Sequence, residues 1–167
     1  MKKDVVKMKK TLKSTKRFGP ITTTHRNWKA AENAKRDSKA CALSHGYSRY
    51  VELTFVGEPD EMQWIFDFGQ GKQLKAIIED CWDHKTLINS DDPLLESFKE
   101  DEKLGKLSLS VMDVTKNHGA GMEGSCFWVY DTLNPVVQQL TNGRVNISKV
   151  QVWEHENNSA ILEIEHN

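Results

Sequence analysis

The sequence contains no apolar run near the roughly 20 residues that a membrane-spanning helix requires, so no bilayer-spanning helix is expected. Cysteine is scarce. Cys41, Cys81 and Cys126 are an odd number at no framework spacing. That excludes a disulfide-stapled fold and predicts free thiols in a reducing compartment. The start, Met1-Lys2-Lys3-Asp4-Val5-Val6-Lys7, has a positive flank without an apolar stretch behind it. No secretory signal is read there, and a cytoplasmic location is expected. Internal repeats, low-complexity tracts, zinc-finger spacings and aromatic RNA-binding signatures are also missing, so neither a solenoid nor a nucleic-acid module is expected.

What is present fits one globular domain. The chain has 167 residues, 38% hydrophobic and 28% charged, enough for a single core. Net charge is −1 but unevenly spread, with seven Lys and one Arg against one Asp in residues 1–17. Residues 1–15 read as a basic arm, either a solvated terminus or a lure for an anionic partner. Residues 16–167 read as the folded domain.

Alternation and turn chemistry give the elements. Strands are expected at 16–24, with Pro20 marking an edge or bulge, and at 47–56. A further hydrophobic run, 62–68, follows the turn Gly57-Glu58-Pro59-Asp60. Leu74, Ile77, Ile78, Cys81 and Trp82 share one face at 3–4 spacing and predict a helix over 71–82. Asp92-Pro93 opens a short helical piece. A strand at 107–111 precedes a long helix over 123–140, kinked or divided at Pro135 and ended by Asn142-Gly143. Strands at 145–153 and 160–165 flank a turn at Glu156-Asn157-Asn158. The order β-β-β-α-(short helix)-β-α-β-β argues for an α+β fold, an antiparallel sheet with helices on one face. Its exposed edges need covering, and oligomerisation is one way to do so.

Five places could carry chemistry, and each has a plainer reading. His25 ends the first strand and His45 opens the second. If these strands pair around the 26–44 loop, both imidazoles meet at one end of the sheet, a setting that suits a metal; otherwise they are surface or packed residues. Cys41 precedes His45 by four and is a base or nucleophile if a cation lowers its pKa, or else a small buried thiol. Asp83-His84 reads as an orienting acid and a proton carrier, or as a solvated pair ending a helix. Glu154 closes an apolar strand and could grip an amidine or guanidine edge, or be a solvated strand end. Glu123 suits the first turn of its helix.

In order, these pieces resemble the 6-pyruvoyltetrahydropterin synthase and 6-carboxytetrahydropterin synthase family over residues 16–165. The matching segments are His25, Cys41-Ala42-Leu43-Ser44-His45-Gly46-Tyr47, Phe66-Asp67-Phe68, Asp83-His84-Lys85-Thr86-Leu87-Ile88-Asn89, Glu123, and Val150-Gln151-Val152-Trp153-Glu154. The resemblance implies a tunnelling fold: a four-stranded antiparallel sheet with two helices on one face, closing into a β-barrel in a trimer or hexamer with sites between subunits. It implies zinc, a pterin triphosphate substrate (7,8-dihydroneopterin triphosphate), and lyase chemistry. Cys41 would be the base, Asp83 and His84 its relay, Glu154 the pterin anchor and Glu123 a second carboxylate near the pterin. His25, His45 and Tyr47 fall on the three zinc-ligand positions, and Tyr47 departs from the family's third His. The residues before Glu123, Ala120-Gly121-Met122, replace a family Pro-Thr pair. The Cys-x-x-x-His-Gly spacing resembles the carboxy-forming branch, which releases acetaldehyde on the way to deazaguanines such as queuosine. A pyruvoyl-forming lyase, and a pterin- or purine-binding oligomer without turnover, are the alternatives.

Overall fold

The computed structural model describes residues 10–32 and 37–165. Most of the basic arm lies outside the described residues, and its last part, from Lys13, is already strand.

Strand β1 (Lys13–His25) pairs antiparallel with β2 (His45–Gly57), from Lys13 opposite Val56 to His25 opposite His45. The register shifts between Phe18 and Ile21, where Gly19-Pro20 forms the bulge expected of a strand proline. Among the described residues Pro20 has no partner on its other side, because β3 (Lys85–Asn89) meets β1 only at Thr23–His25. Strand β2 pairs onward with β5 (Val145–Trp153), and β5 with β6 (Ser159–Glu163), both antiparallel.

Helix α1 (Gly71–Trp82) buries Leu74, Ile78 and Trp82, and α3 (Met122–Leu140) buries Cys126, Val129, Leu133 and Val137. Both close over one face of the sheet, on Phe18, Ile21, Val51, Leu53, Phe55, Ile147, Val150 and Val152. Pro135 lies inside α3 without dividing it. Asn142 and Gly143 take positive φ, and the Gly143 amide returns to Gln138 O, ending the helix as its sequence predicts.

Four expectations are corrected. The sheet has six strands, ordered β4-β3-β1-β2-β5-β6, rather than four. It is mixed, because β3 runs parallel to both β1 and β4 (Leu109–Met112). The short helical piece expected after Asp92-Pro93 is present as a third helix, α2 (Leu95–Lys103), beside β4, where the resemblance implied two helices. The run 62–68 is not a strand. Asp60 accepts hydrogen bonds from the Met62 and Trp64 amides, Gln63 takes φ 64°, and Asp67 turns the chain again at Gly69. Its apolar content still reaches the core, since Phe66 stacks on Phe55 with centroids 4.3 Å apart. Among the described residues, no helix is long and apolar enough to cross a membrane. All three cysteines are free.

Candidate active site

The β1–β2 pairing ends with His25 facing His45, and their rings lie 4.4 Å apart between centroids. The period-2 alternation of β2 then puts Tyr47 and Arg49 on the same face as His45. Just beyond β1, Arg26 pins the strand end to buried Asp92 at 3.0 Å. The segment between the strands folds back as 3-10 turns at Trp28–Ala31 and Asp37–Ala42, and the Asn27 amide bonds Cys41 O at 2.8 Å. This brings Cys41 to the His pair.

From the far side, β5 delivers Glu154. Its amide bonds Asn158 O at 3.0 Å, closing the β5–β6 turn. Helix α3 contributes Glu123 in its first turn. The loop before α3 is held by Asn89, whose Oδ1 accepts the Ala120 amide at 2.8 Å. Together these elements enclose a cavity of ≈ 250 Å³ lined by His25, Cys41, His45, Glu123, Glu154 and Asn158, among others.

His25 is 5% exposed. Burial first, then the positive charge of Arg49 and proximity to His45, lower its pKa to about 3, so the ring is neutral. Its Nδ1 is buried with no hydrogen-bond partner among the described residues. His45 Nδ1 lies 2.7 Å from Leu43 O. A carbonyl only accepts, so Nδ1 is the donor and Nε2 is the nitrogen left to face a metal. One ligand atom each of His25, His45 and Glu154 lie within 4.8 Å of one another. Glu154 Oε1 is 3.9 Å from His25 Nε2, while Oε2 takes a hydrogen bond from Asn158 Nδ2 at 3.3 Å. Two imidazoles, one with a nitrogen left without a hydrogen-bond partner among the described residues, beside a carboxylate form a donor set that fits a divalent metal.

Tyr47 sits at the rim of this group, its ring 5.7 Å from His45, 6.2 Å from His25 and 5.4 Å from His155. Asp83 and His84 are elsewhere. Asp83 caps α1, His84 takes φ 57°, and the two bond through Oδ2 and Nδ1 at 2.9 Å. The pair is docked on Thr22, which donates to Asp83 Oδ1 and accepts the His84 amide. Thr22 precedes His25 by three strand residues, about 10 Å. Burial opposes the Asp83 charge, but bonds from His84 and the Thr22 amide outweigh it and lower its pKa. The His84 side chain is 80% exposed, and neither residue lines the cavity. The structure therefore gathers Cys41, His25, His45, Tyr47, Glu123 and Glu154, and leaves Asp83-His84 apart.

Sequence reasoning did not single out Arg49 or His155. Arg49 is fully buried, donates to Ser125 Oγ at 3.2 Å and Ala120 O at 2.8 Å, and its Nε has no hydrogen-bond partner among the described residues. Burial lowers its pKa to about 10, although Glu154 acts in the opposite direction. The signal was available: inward Val51, Leu53 and Phe55 place Arg49 inward by alternation.

The profile of the 6-pyruvoyl tetrahydropterin synthase family matches residues 20–165. Two curated relatives are each provisionally named 6-carboxy-5,6,7,8-tetrahydropterin synthase. The one from Pyrococcus abyssi is 28% identical over 120 residues, 68% of this chain and 70% of the relative. The one from Halobacterium salinarum is 30% identical over 60 residues, 36% of this chain and 37% of the relative, so the chain spans about a third of that protein. Among solved structures, a Wolinella succinogenes protein superposes with a TM-score of 0.76 at 18% identity, covering 94% of this chain and all of that one. A 6-pyruvoyltetrahydropterin synthase from Plasmodium vivax, a catalytic-residue mutant, reaches 0.66 at 16% identity, covering 93% and 100%. These superpositions establish a shared fold. With that fold, and a profile match over most of its length, the chain belongs to the 6-pyruvoyl tetrahydropterin synthase family.

Proposed function

We propose that this protein is a metal-dependent lyase that converts 7,8-dihydroneopterin triphosphate and water to 6-carboxytetrahydropterin, acetaldehyde and triphosphate, a step toward queuosine-type deazaguanines in the cytoplasm. One observation carries the reading: Cys41, the His25–His45 pair and two carboxylates converge on a single cavity. The names of the curated relatives and the Cys-x-x-x-His-Gly spacing favour the carboxy-forming reaction over the pyruvoyl-forming one.

Zinc is the metal the family resemblance brings, held by His25 and His45 with a third donor, and it would supply polarisation of the substrate's side-chain hydroxyls. Cys41, exposed at the cavity, takes the proton from the adjacent carbon as its thiolate. Glu123 and Glu154 are the carboxylates facing the cavity, and the guanidine-like edge of a pterin requires at least one of them. The His84 Nδ1–H bond to Asp83 leaves Nε2 free to accept and return a proton. Because Asp83-His84 stands outside the cavity of its own chain, the relay reaches Cys41 from a second copy. A homo-oligomer, trimer or hexamer, with shared sites follows, and it would cover edge strands β4 and β6.

The test is product analysis by mass spectrometry after incubation with 7,8-dihydroneopterin triphosphate and supplied zinc. Acetaldehyde with 6-carboxytetrahydropterin supports the proposal. A 6-pyruvoyl product points to the sister reaction. Unchanged substrate, bound without turnover, would replace the lyase with a pterin-binding oligomer.

A further inference from the structure

We propose that Glu154, rather than Tyr47, is the third metal ligand, so that the ion in this chain is held by two imidazoles and one carboxylate. The inference rests on the metal-dependent reading above and assigns the pterin edge to Glu123.

Distance is the first argument. Ligands about 2.1 Å from a tetrahedral ion lie about 3.4 Å from one another. Glu154 Oε1 already stands 3.9 Å from His25 Nε2, and His45 completes a group spanning no more than 4.8 Å. Tyr47 stands beside that group, its ring centroid 5.7 Å from His45 and 6.2 Å from His25. Its ring is edge-on to His45 and shared between His45 and His155. A phenol must also lose a proton, from an ordinary pKa near 10, before it binds well, whereas a glutamate is anionic at neutral pH.

Charge is the second argument. Arg49 is fully buried on the same face of β2, four residues beyond His45, and among the described residues its guanidinium hydrogen-bonds only to the neutral acceptors Ser125 Oγ and Ala120 O. A divalent ion held by neutral ligands alone would add two positive charges beside that buried cation. An anionic ligand between them offsets part of this, and Glu154 is the carboxylate that Arg49 interacts with electrostatically.

The third argument is support behind the ligand. The Asn157 amide donates to His155 Nδ1 at 3.2 Å, and His155 Nε2 lies 3.1 Å from Asn158 Nδ2 and 3.6 Å from Glu154 Oε2. Asn158 Nδ2 bonds the same oxygen, and the Asn158 carbonyl fixes the Glu154 amide. One carboxylate oxygen is thus tethered by the β5–β6 turn while the other is aimed at the imidazoles, the arrangement expected of an oriented metal ligand. The carboxylate of Glu123, by contrast, has no hydrogen bond or ion pair among the described residues and is exposed at the cavity. A two-His, one-carboxylate set accepts Zn²⁺ and also suits Fe²⁺, which a three-imidazole zinc site does not share as readily.

The test is titration of metal-free protein with Co²⁺, read by its visible absorption, with Zn²⁺ affinity measured by competition against a chelating dye. Wild type is expected to bind one ion per chain. Glu154→Gln should weaken binding at least about tenfold and shift the Co²⁺ bands, and His155→Ala should weaken it less. Tyr47→Phe should leave affinity and spectrum unchanged. Loss of binding in Tyr47→Phe with retention in Glu154→Gln would overturn the inference, as would full retention in both. Matching melting curves of the metal-free variants show that the fold persists. If Glu154→Gln does not fold, Glu154→Asp must shift the Co²⁺ bands, and an unshifted spectrum would overturn the assignment. A wild type that binds no metal refutes the metal-dependent reading itself, a result distinct from a misassigned ligand.

Discussion

Replacing His25 by Gln in metal-free protein should remove a defined part of the dependence of stability on pH. The native imidazole stays unprotonated down to pH about 3, whereas in the unfolded chain it takes up a proton as pH falls past 6.5. The unfolded state then binds more protons, so stability is full above pH 6.5 and is lost as pH falls toward 3. The whole window is worth about 5 kcal/mol, at 1.36 kcal/mol per pKa unit. At 5% exposure the ring has little solvent screening to discount. Between pH 6.5 and 5 alone, the linkage integral gives about 1.6 kcal/mol. Carboxylates with ordinary or lowered pKa values titrate mostly below that range. The assay is urea unfolding followed by tryptophan fluorescence, with a chelator present, at pH 6.5 and pH 5.0. Wild type should lose about 1.6 kcal/mol more than His25→Gln between the two conditions. An equal loss in both proteins would show that His25 is not a buried neutral imidazole, and the metal-ready end of the β1–β2 pair would lose its basis.

Two further outcomes follow from the packing. Arg144 donates to the carbonyls of Glu58, Trp64 and Ile65 and pairs with Asp60 at 3.7 Å. Arg144→Ala should cost about 2 kcal/mol in urea unfolding and speed amide exchange in residues 58–68, leaving α3 protected. Thiol labelling at pH 7.5 should modify Cys41 first, because it is exposed, while Cys126 is 2% exposed with its thiol pushed up to about 11 by burial. Labelling of Cys126 at the rate of Cys41 would contradict the placement of α3.

Much of this fold was legible where one physical signal acted alone. The 3–4 spacing from Leu74 to Trp82 marked α1 at both ends, and alternation delivered β5 from Val145 to Trp153. Strand β3 was missed because Thr86, Leu87 and Ile88 are buried in succession, as in a strand covered on both faces, and so show no alternation. Its parallel pairing with β1 depends on a crossover that local sequence does not encode. The run 62–68 misled for the opposite reason: apolar content suggested a strand, while Asp60 and Asp67 side chains bent the backbone into turns. At the site, the meeting of His25 with His45 followed from a simple hairpin. The approach of Glu154 from β5, and the separation of Asp83-His84 from Cys41, depend on the order of strands across the sheet.

That separation gives the most direct test of one active site shared between two copies. Cys41→Ala and His84→Ala are each expected to be inactive alone, measured as acetaldehyde release from 7,8-dihydroneopterin triphosphate. Unfolded together and refolded as a mixture, they should regain activity, because some interfaces then unite a native Cys41 with a native Asp83-His84 pair. A mixture that stays inactive, while wild type refolded in the same way is active, would contradict the shared site.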